Sequence, residues 1–255
     1  MSRSEIRLID GSYGEGGGQV LRTALTLSIL TGEPIRIERI RASRKKPGLR
    51  PQHLTAVRAA AMICNAELAG DVLDSQTILF APGGPAQPGA YTFDVTEVSK
   101  GGSAGSVGLI CQTILLPLAL AGDASRLTLR GGTHVPWAPS AFYLAHTFLP
   151  AAKRMGVKTE LNVIDWGFYP AGGGEIQATI QGRDEPLRPI QMSERGELKR
   201  IWGQAVATNL PAHIPQRMAN RAQNVLAEMG LPARVEARRL GGAGPGTGIF
   251  LCTEY

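Results

Sequence analysis

The segment Asp10-Gly11-Ser12-Tyr13-Gly14-Glu15-Gly16-Gly17-Gly18-Gln19-Val20-Leu21-Arg22 reads as the end of a strand, a glycine loop and the start of a helix. Such a loop lets backbone N–H groups approach an anion at a helix N-terminus, where the dipole favours negative charge. It ends without the Gly-Lys-Ser/Thr of a phosphate loop, and Gln19 stands where the dinucleotide fingerprint needs glycine. Glu15 is the odd member. A carboxylate repels an anionic ligand unless a divalent metal or an arginine intervenes, and otherwise it is a solvated turn residue. Arg22, one turn into an apolar helix, needs an anionic partner, which phosphate or Glu15 would supply.

A second run, Arg41-Ala42-Ser43-Arg44-Lys45-Lys46-Pro47-Gly48-Leu49-Arg50-Pro51-Gln52-His53, delivers cations on a proline-bounded loop to another helix start. Arginine forks grip phosphate bidentately, whereas lysine acts as a point charge. Residues 36–50 hold seven cations against Glu38 alone, a local excess equal to the +6 of the whole chain. That concentration points to a polyanion, with a solvated loop as the plain alternative. Aromatic residues make up only 5% of the chain, which argues against a base-stacking platform and for contacts to phosphates at a nucleic-acid end. His53, at the helix start, either touches phosphate or caps. Gln112 interrupts the apolar run Val107–Leu118, and its amide either reads a base edge or bonds to neighbouring backbone.

Other chemistries lack their residues. The four histidines fall in no metal spacing, and neither a CxxC pair nor a Gly-x-Ser-x-Gly elbow occurs. Cys64 and Cys111 lie in apolar stretches and read as buried thiols of a reducing, cytoplasmic protein. The longest apolar run, Val107–Ala121, contains Gln112 and Pro117, and Arg3, Glu5, Arg7 and Asp10 stand where an export signal needs its apolar core. Neither membrane span nor signal is expected.

The elements that must position these residues repeat. Gly16-Gly17-Gly18 opens a helix ending near Thr31-Gly32 before the strand Ile35–Glu38; Gly101-Gly102 opens another, ending at Ala121-Gly122 before Leu127–Leu129. A second helix follows in each unit, entered by Pro51 and by Pro139, proline being suited to a first turn. Leu54, Val57, Ala61 and Cys64 mark a one-sided stripe that Phe142, Ala145, Leu149 and Ala152 repeat. Strands are expected at Thr77–Phe80, Lys158–Ile164 and Glu175–Gln181. The unit is β-α-β-α-β-β. After a linker at Asp184-Glu185-Pro186, strand Leu198–Thr208, helix Pro215–Met229, strand Ala233–Arg239, a glycine-rich stretch over Gly241–Gly248 and strand Ile249–Thr253 form something different. The fold class is α+β, with a large domain over residues 1–184 and a small α/β domain over 185–255.

In these motifs the chain resembles RNA 3'-terminal phosphate cyclases. The residues that carry the resemblance are Asp10-Gly11, Gly14 to Gln19 and Arg22, and then Ile40-Arg41-Ala42, Arg44, Lys46 to Leu49 and Gln52-His53-Leu54. Ser103 to Ser106, Gln112-Thr113, Gly131-Gly132-Thr133 and Gly167-Phe168-Tyr169-Pro170-Ala171-Gly172-Gly173-Gly174 complete it. The resemblance implies repeated βαβαββ units like those of enolpyruvyl transferases, with a small inserted domain. It also implies a reaction in which ATP adenylylates a histidine, AMP passes to an RNA 3'-phosphate, and the vicinal 2'-hydroxyl closes a 2',3'-cyclic phosphate. By the same resemblance Glu15 would hold a divalent metal (Mg or Mn). Arg22, Arg41, Arg44 and Gln52, with His53 nearby, would bind phosphates, and Gln19, Gln112 and Pro139 would bind the nucleotide. The nucleophilic histidine of the family is expected beyond Tyr255, on none of His53, His134, His146 and His213, so that the chain is expected to be a fragment or to fold poorly alone. ATP and RNA 3'-phosphate ends are the expected partners, and a homodimer is left open. The alternatives are a non-catalytic relative that binds RNA in ribosome assembly and a small-molecule transferase on the same fold.

Overall fold

The computed structural model describes residues 5–98 and 103–255, so that Arg3 and the expected helix-opening pair Gly101-Gly102 lie outside the described residues. The first unit runs β1 (Arg7–Asp10), α1 (Gly18–Thr31), β2 (Ile35–Glu38), α2 (Pro51–Cys64), β3 (Glu67–Ala69) and β4 (Ile78–Ala81). The second runs β5 (Ala90–Asp94), a 3-10 turn (Val95–Val98), α3 (Val107–Ala119), β6 (Ser125–Gly131), α4 (Ala141–Tyr143), a π turn (Leu144–Phe148), α5 (Leu149–Met155), β7 (Thr159–Asp165) and β8 (Gly174–Ile180). Their sheets have the same order, β1-β2-β4-β3 and β5-β6-β8-β7, each with one parallel and two antiparallel pairings. The repeat is therefore topological as well as sequential. Two strands escape the sequence pattern: β3 is three residues long and mostly exposed, and β5 buries only Phe93.

Local patterning explains the elements. In α1 the buried residues Leu21, Ala24, Leu25, Ser28 and Ile29 fall at the spacing of one helical face. β6 buries alternate residues, as a half-buried strand must. α2 corrects the expected one-sided stripe: Ala56, Ala59 and Ala60 are buried along with Leu54, Val57 and Cys64, because α1 and α3 both pack on this helix and small side chains admit them. One core runs through both units.

Prolines set the irregularities. Pro117 lies inside α3 and has no N–H to give the Thr113 carbonyl; the Thr26 hydroxyl of α1 donates to that carbonyl instead, at 2.7 Å. Pro139 is not a helix entry like Pro51. Helix α4 is capped by Ser140, whose hydroxyl accepts from the Tyr143 amide at 3.1 Å, and Pro139 sits before the cap. Pro150 would clash with the carbonyl four residues back in an α-helix, and the π turn preceding it opens that register.

The last part runs β9 (Arg200–Thr208), α6 (His213–Glu228), β10 (Ala233–Leu240) and β11 (Gly246–Glu254), with strand order β10-β9-β11. Residues 181–199 have no regular structure, yet Leu187 still packs on the large core. An aromatic cluster of Phe142, Trp166 and Phe168 from the second unit with Trp202 and Phe250 joins the two parts. No helix among the described residues is long and apolar enough to cross a membrane.

Candidate phosphate-binding site

Three helix starts meet at one place. α1 begins at Gly18 without a side-chain cap, and a Cβ on Gly18 would collide with the His53 ring and the Arg22 guanidinium. Only glycine lets the first turn of α1 come this close to α2. At the start of α2, the Arg50 amide donates to Nδ1 of His53 at 3.3 Å, which leaves the proton of the neutral ring on Nε2, the nitrogen facing Gly18. At the start of α3, the Ser106 amide donates to Oε1 of Gln52 at 2.9 Å. Thr26 and Thr113 tie α1 to α3 further along. Positive helix ends thus converge where the unpaired N–H groups are.

Charge is gathered at the same place. Burial, followed by the cations of Arg41, Arg22 and Arg50, pushes His53 down to about 3, so its buried imidazole is a neutral hydrogen-bond donor. Arg44 reaches Glu15 at 3.3 Å and lies against Gly17. Arg50 pairs with Asp74, and Arg39 with Asp10. Arg41 donates to the carbonyls of Lys46 and Gly48, both at 2.8 Å, which folds the basic loop around its own guanidinium. Arg22 donates to Oε1 of Gln19 at 3.1 Å. Burial lowers both Arg22 and Arg41 from the ordinary arginine value, and like charge from Arg50 and Arg44 adds to it at Arg41. Neither has a carboxylate partner among the described residues, and two such cations call for an anion from outside. Glu15 pairs with Arg44 rather than with Arg22.

Beside these helices a cleft of about 200 Å³ is lined by Gln19, Arg22, Thr23, Thr26, Gln112 and Phe148. Gln19 and Gln112 therefore share one wall with Arg22. Pro139 is not part of that lining; its carbonyl packs on Gly108, one turn before Gln112 on the same face of α3. The structure thus brings Arg22, Arg41, Arg44, Gln52 and His53 together and places Gln19 and Gln112 next to them. What the sequence hid was the use of Gln52, Ser106 and Thr26 as cross-links between helices far apart in the chain.

No group of three or more His, Cys, Asp or Glu side chains gathers among the described residues, and the Glu15 side chain is 92% exposed beside Arg44. Such a carboxylate fits a hard cation whose remaining ligands are phosphate oxygens and water. Of the other histidines, His134 and His146 sit among the aromatic rings at the join with the last sheet, and His213 begins α6.

A family model described as RNA 3'-terminal phosphate cyclase matches residues 13–235. Proteins named RNA 3'-terminal phosphate cyclase from Trichormus variabilis and from a Nostoc species are each 58% identical to this chain over 247 residues, covering 97% of it and 71% of their own length. One of the same name from Archaeoglobus fulgidus is 43% identical over 247 residues, covering 97% of this chain and 72% of its own.

Proposed function

Because the chain belongs to the RNA 3'-terminal phosphate cyclase family, we propose that it binds an RNA 3'-phosphate where α1, α2 and α3 begin and, with ATP, converts it to a 2',3'-cyclic phosphate. The observation that carries this reading is the pair Arg22 and Arg41, half-buried beside three helix starts with no carboxylate partner among the described residues. A terminal phosphate supplies what that arrangement lacks.

The residues divide the work. Arg22, Arg41 and Arg44 hold phosphate oxygens, and His53 donates its Nε2 proton in a hydrogen bond that needs no ionised ring. Gln52 is a positioning residue whose bond to the Ser106 amide fixes α3 against α2. Gln19, Gln112 and Pro139 take the adenosine side. Glu15 would share a divalent cation with phosphate oxygens, and that cation would neutralise charge as the phosphates approach. In the closing step the 2'-oxygen attacks phosphorus, the bond to AMP breaks, AMP leaves with the electron pair, and the hydroxyl proton is released. Holding the end still makes this attack intramolecular in geometry as well as in name. Burial pushes the Cys64 thiol up to about 11 and Cys111 up to about 12, which keeps both out of the chemistry.

The test separates the steps. With ATP, a divalent metal and an RNA ending in a 3'-phosphate, the protein expressed from the longest available reading frame is expected to produce phosphatase-resistant ends. With an RNA already carrying AMP on its 3'-phosphate, it is expected to speed closure without ATP. A folded protein that leaves both RNAs unchanged overturns the reading.

A further inference from the structure

One motif of the sequence is left unused by the phosphate site: the run Gly167 to Gly174, together with the uncharged loop Gly132-Thr133-His134-Val135-Pro136-Trp137-Ala138-Pro139-Ser140. The structure brings the two together against the start of β11. Between them lies a cleft of about 430 Å³ whose walls include His134, Pro136, Phe168, Tyr169, Gly246 and Phe250. A Cβ on Gly246 would run into the Phe168 ring, so glycine at this point of β11 lets the strand close one side of the cleft.

Three features of this cleft are expensive for a surface with no ligand. Trp137, next in sequence to the cleft residue Pro136, is fully exposed and sits at φ 64°, a left-handed conformation that a bulky residue rarely adopts. Tyr169 is 69% exposed. His134 is buried and stacked on Trp166 with 3.9 Å between centroids, and it has a nitrogen left over. The Thr133 hydroxyl oxygen accepts from the Gly167 amide at 2.9 Å and lies 2.8 Å from Nδ1 of His134, against 3.5 Å from the Gly167 carbonyl. Nδ1 is therefore satisfied by Thr133, and Nε2 is buried without a partner among the described residues.

We infer that this cleft holds an unpaired nucleobase of the RNA strand, upstream of the phosphate end, between its aromatic walls. The inference rests on the phosphate-end reading given above. Neither loop of the cleft nor the start of β11 carries a lysine or arginine, so the cleft suits an uncharged planar ring and does not suit a second phosphate. The two sites are neighbours. The Gly132 amide donates to the Gly105 carbonyl at 2.8 Å and the Val107 amide to the Gly132 carbonyl at 3.0 Å, while Ser106 between them is held by Gln52 of the phosphate site. A strand whose end lies on one side of the Gly105–Val107 segment has its preceding bases on the other.

The experiment measures binding of short 3'-phosphorylated RNAs in which each of the terminal nucleotides in turn is made abasic. At one position, loss of the base is expected to weaken binding about tenfold. In the Trp137→Ala/Tyr169→Ala double variant, whose two side chains lie exposed, the intact RNA is expected to bind about tenfold more weakly and the abasic penalty to vanish. Equal binding of all the abasic RNAs overturns the inference while leaving the phosphate reading intact, provided a 3'-hydroxyl RNA binds more weakly. Weakened ATP binding in the double variant, with RNA binding unchanged, assigns the cleft to the nucleotide and also overturns it. Binding that ignores the 3'-phosphate altogether overturns the phosphate reading.

Discussion

The two repeat units share a topology and differ in what they carry between the second strand and the second helix. In the first unit the β2–α2 connection holds Arg39, Arg41, Arg44, Lys45, Lys46 and Arg50 with no acid; in the second, the β6–α4 connection over residues 132–140 holds no charged residue and contributes His134, Pro136 and Trp137. One scaffold thus offers charge at one connection and flat, polarisable surface at the other. The difference shows how a duplicated unit specialises: strands and helices keep the geometry, and the loop after the second strand sets the chemistry.

Both connections lead to a buried histidine, and acid offers the largest contrast. His53 and His134 are each held at about 3, below the ordinary 6.5, by burial in both cases and additionally by Arg41, Arg22 and Arg50 at His53. Between these values the unfolded chain binds more protons than the folded one. Stability is therefore full above pH 6.5 and falls as the pH drops toward 3, by up to about 1.4 kcal/mol per pH unit for each histidine. Denaturant titrations across that range should show the loss. Bound 3'-phosphorylated RNA should raise His53, by offsetting its cationic neighbours, and do so more than it raises His134; equal responses by NMR would break the contrast.

Arg22→Gln comes next. It should cost about a hundredfold in the affinity for 3'-phosphorylated over 3'-hydroxyl RNA, because a half-buried, charge-assisted contact is removed. Calorimetric titration of both RNAs reads it, and a loss as small as that from a rim lysine would undo the assignment. Gly18→Ala should destabilise by about 1–3 kcal/mol through overpacking against His53 and Arg22. Gly108→Ala is its counterpart in the second unit, where the nearest atoms are a flexible Leu144 methyl and the Pro139 carbonyl at 3.0 Å, and thermal unfolding should place it below Gly18→Ala. The smallest effect is expected of Thr26→Val, about 1 kcal/mol, for the hydroxyl that serves the carbonyl Pro117 leaves unpaired.

Much of this architecture was legible because it obeys local rules. The face of α1, the alternation of β6 and the proline at the start of α2 are written in short windows, and the repeat followed from two such windows at a fixed offset. β3 and β5 were not legible, since strands this short and exposed are made by their partners rather than by their own residues. Arginines and glycines announced the phosphate site by type. Gln52 did not announce its role, because its partner Ser106 is 54 residues away and the bond runs to backbone. The low aromatic content, 5% of the chain, also gave no sign that Phe168, Tyr169 and Phe250 are drawn from distant segments to one cleft. Averages over a sequence do not see convergence in space.

The stitching of α2 to α3 through Gln52, and of α1 to α3 through Thr26, has a consequence for how the molecule assembles. Both bonds cross from one unit to the other, so the start of α3 joins the arginines and His53 of the first unit only when the two halves have docked. A phosphate bound there would report on, and reinforce, that docking. By mass action a ligand at one hundred times its dissociation constant adds at most about 2.7 kcal/mol to the docked state, the full amount only against halves that do not bind it. On the proposed reading the substrate end would be, in that sense, a rivet for the duplicated body as well as the group on which it acts.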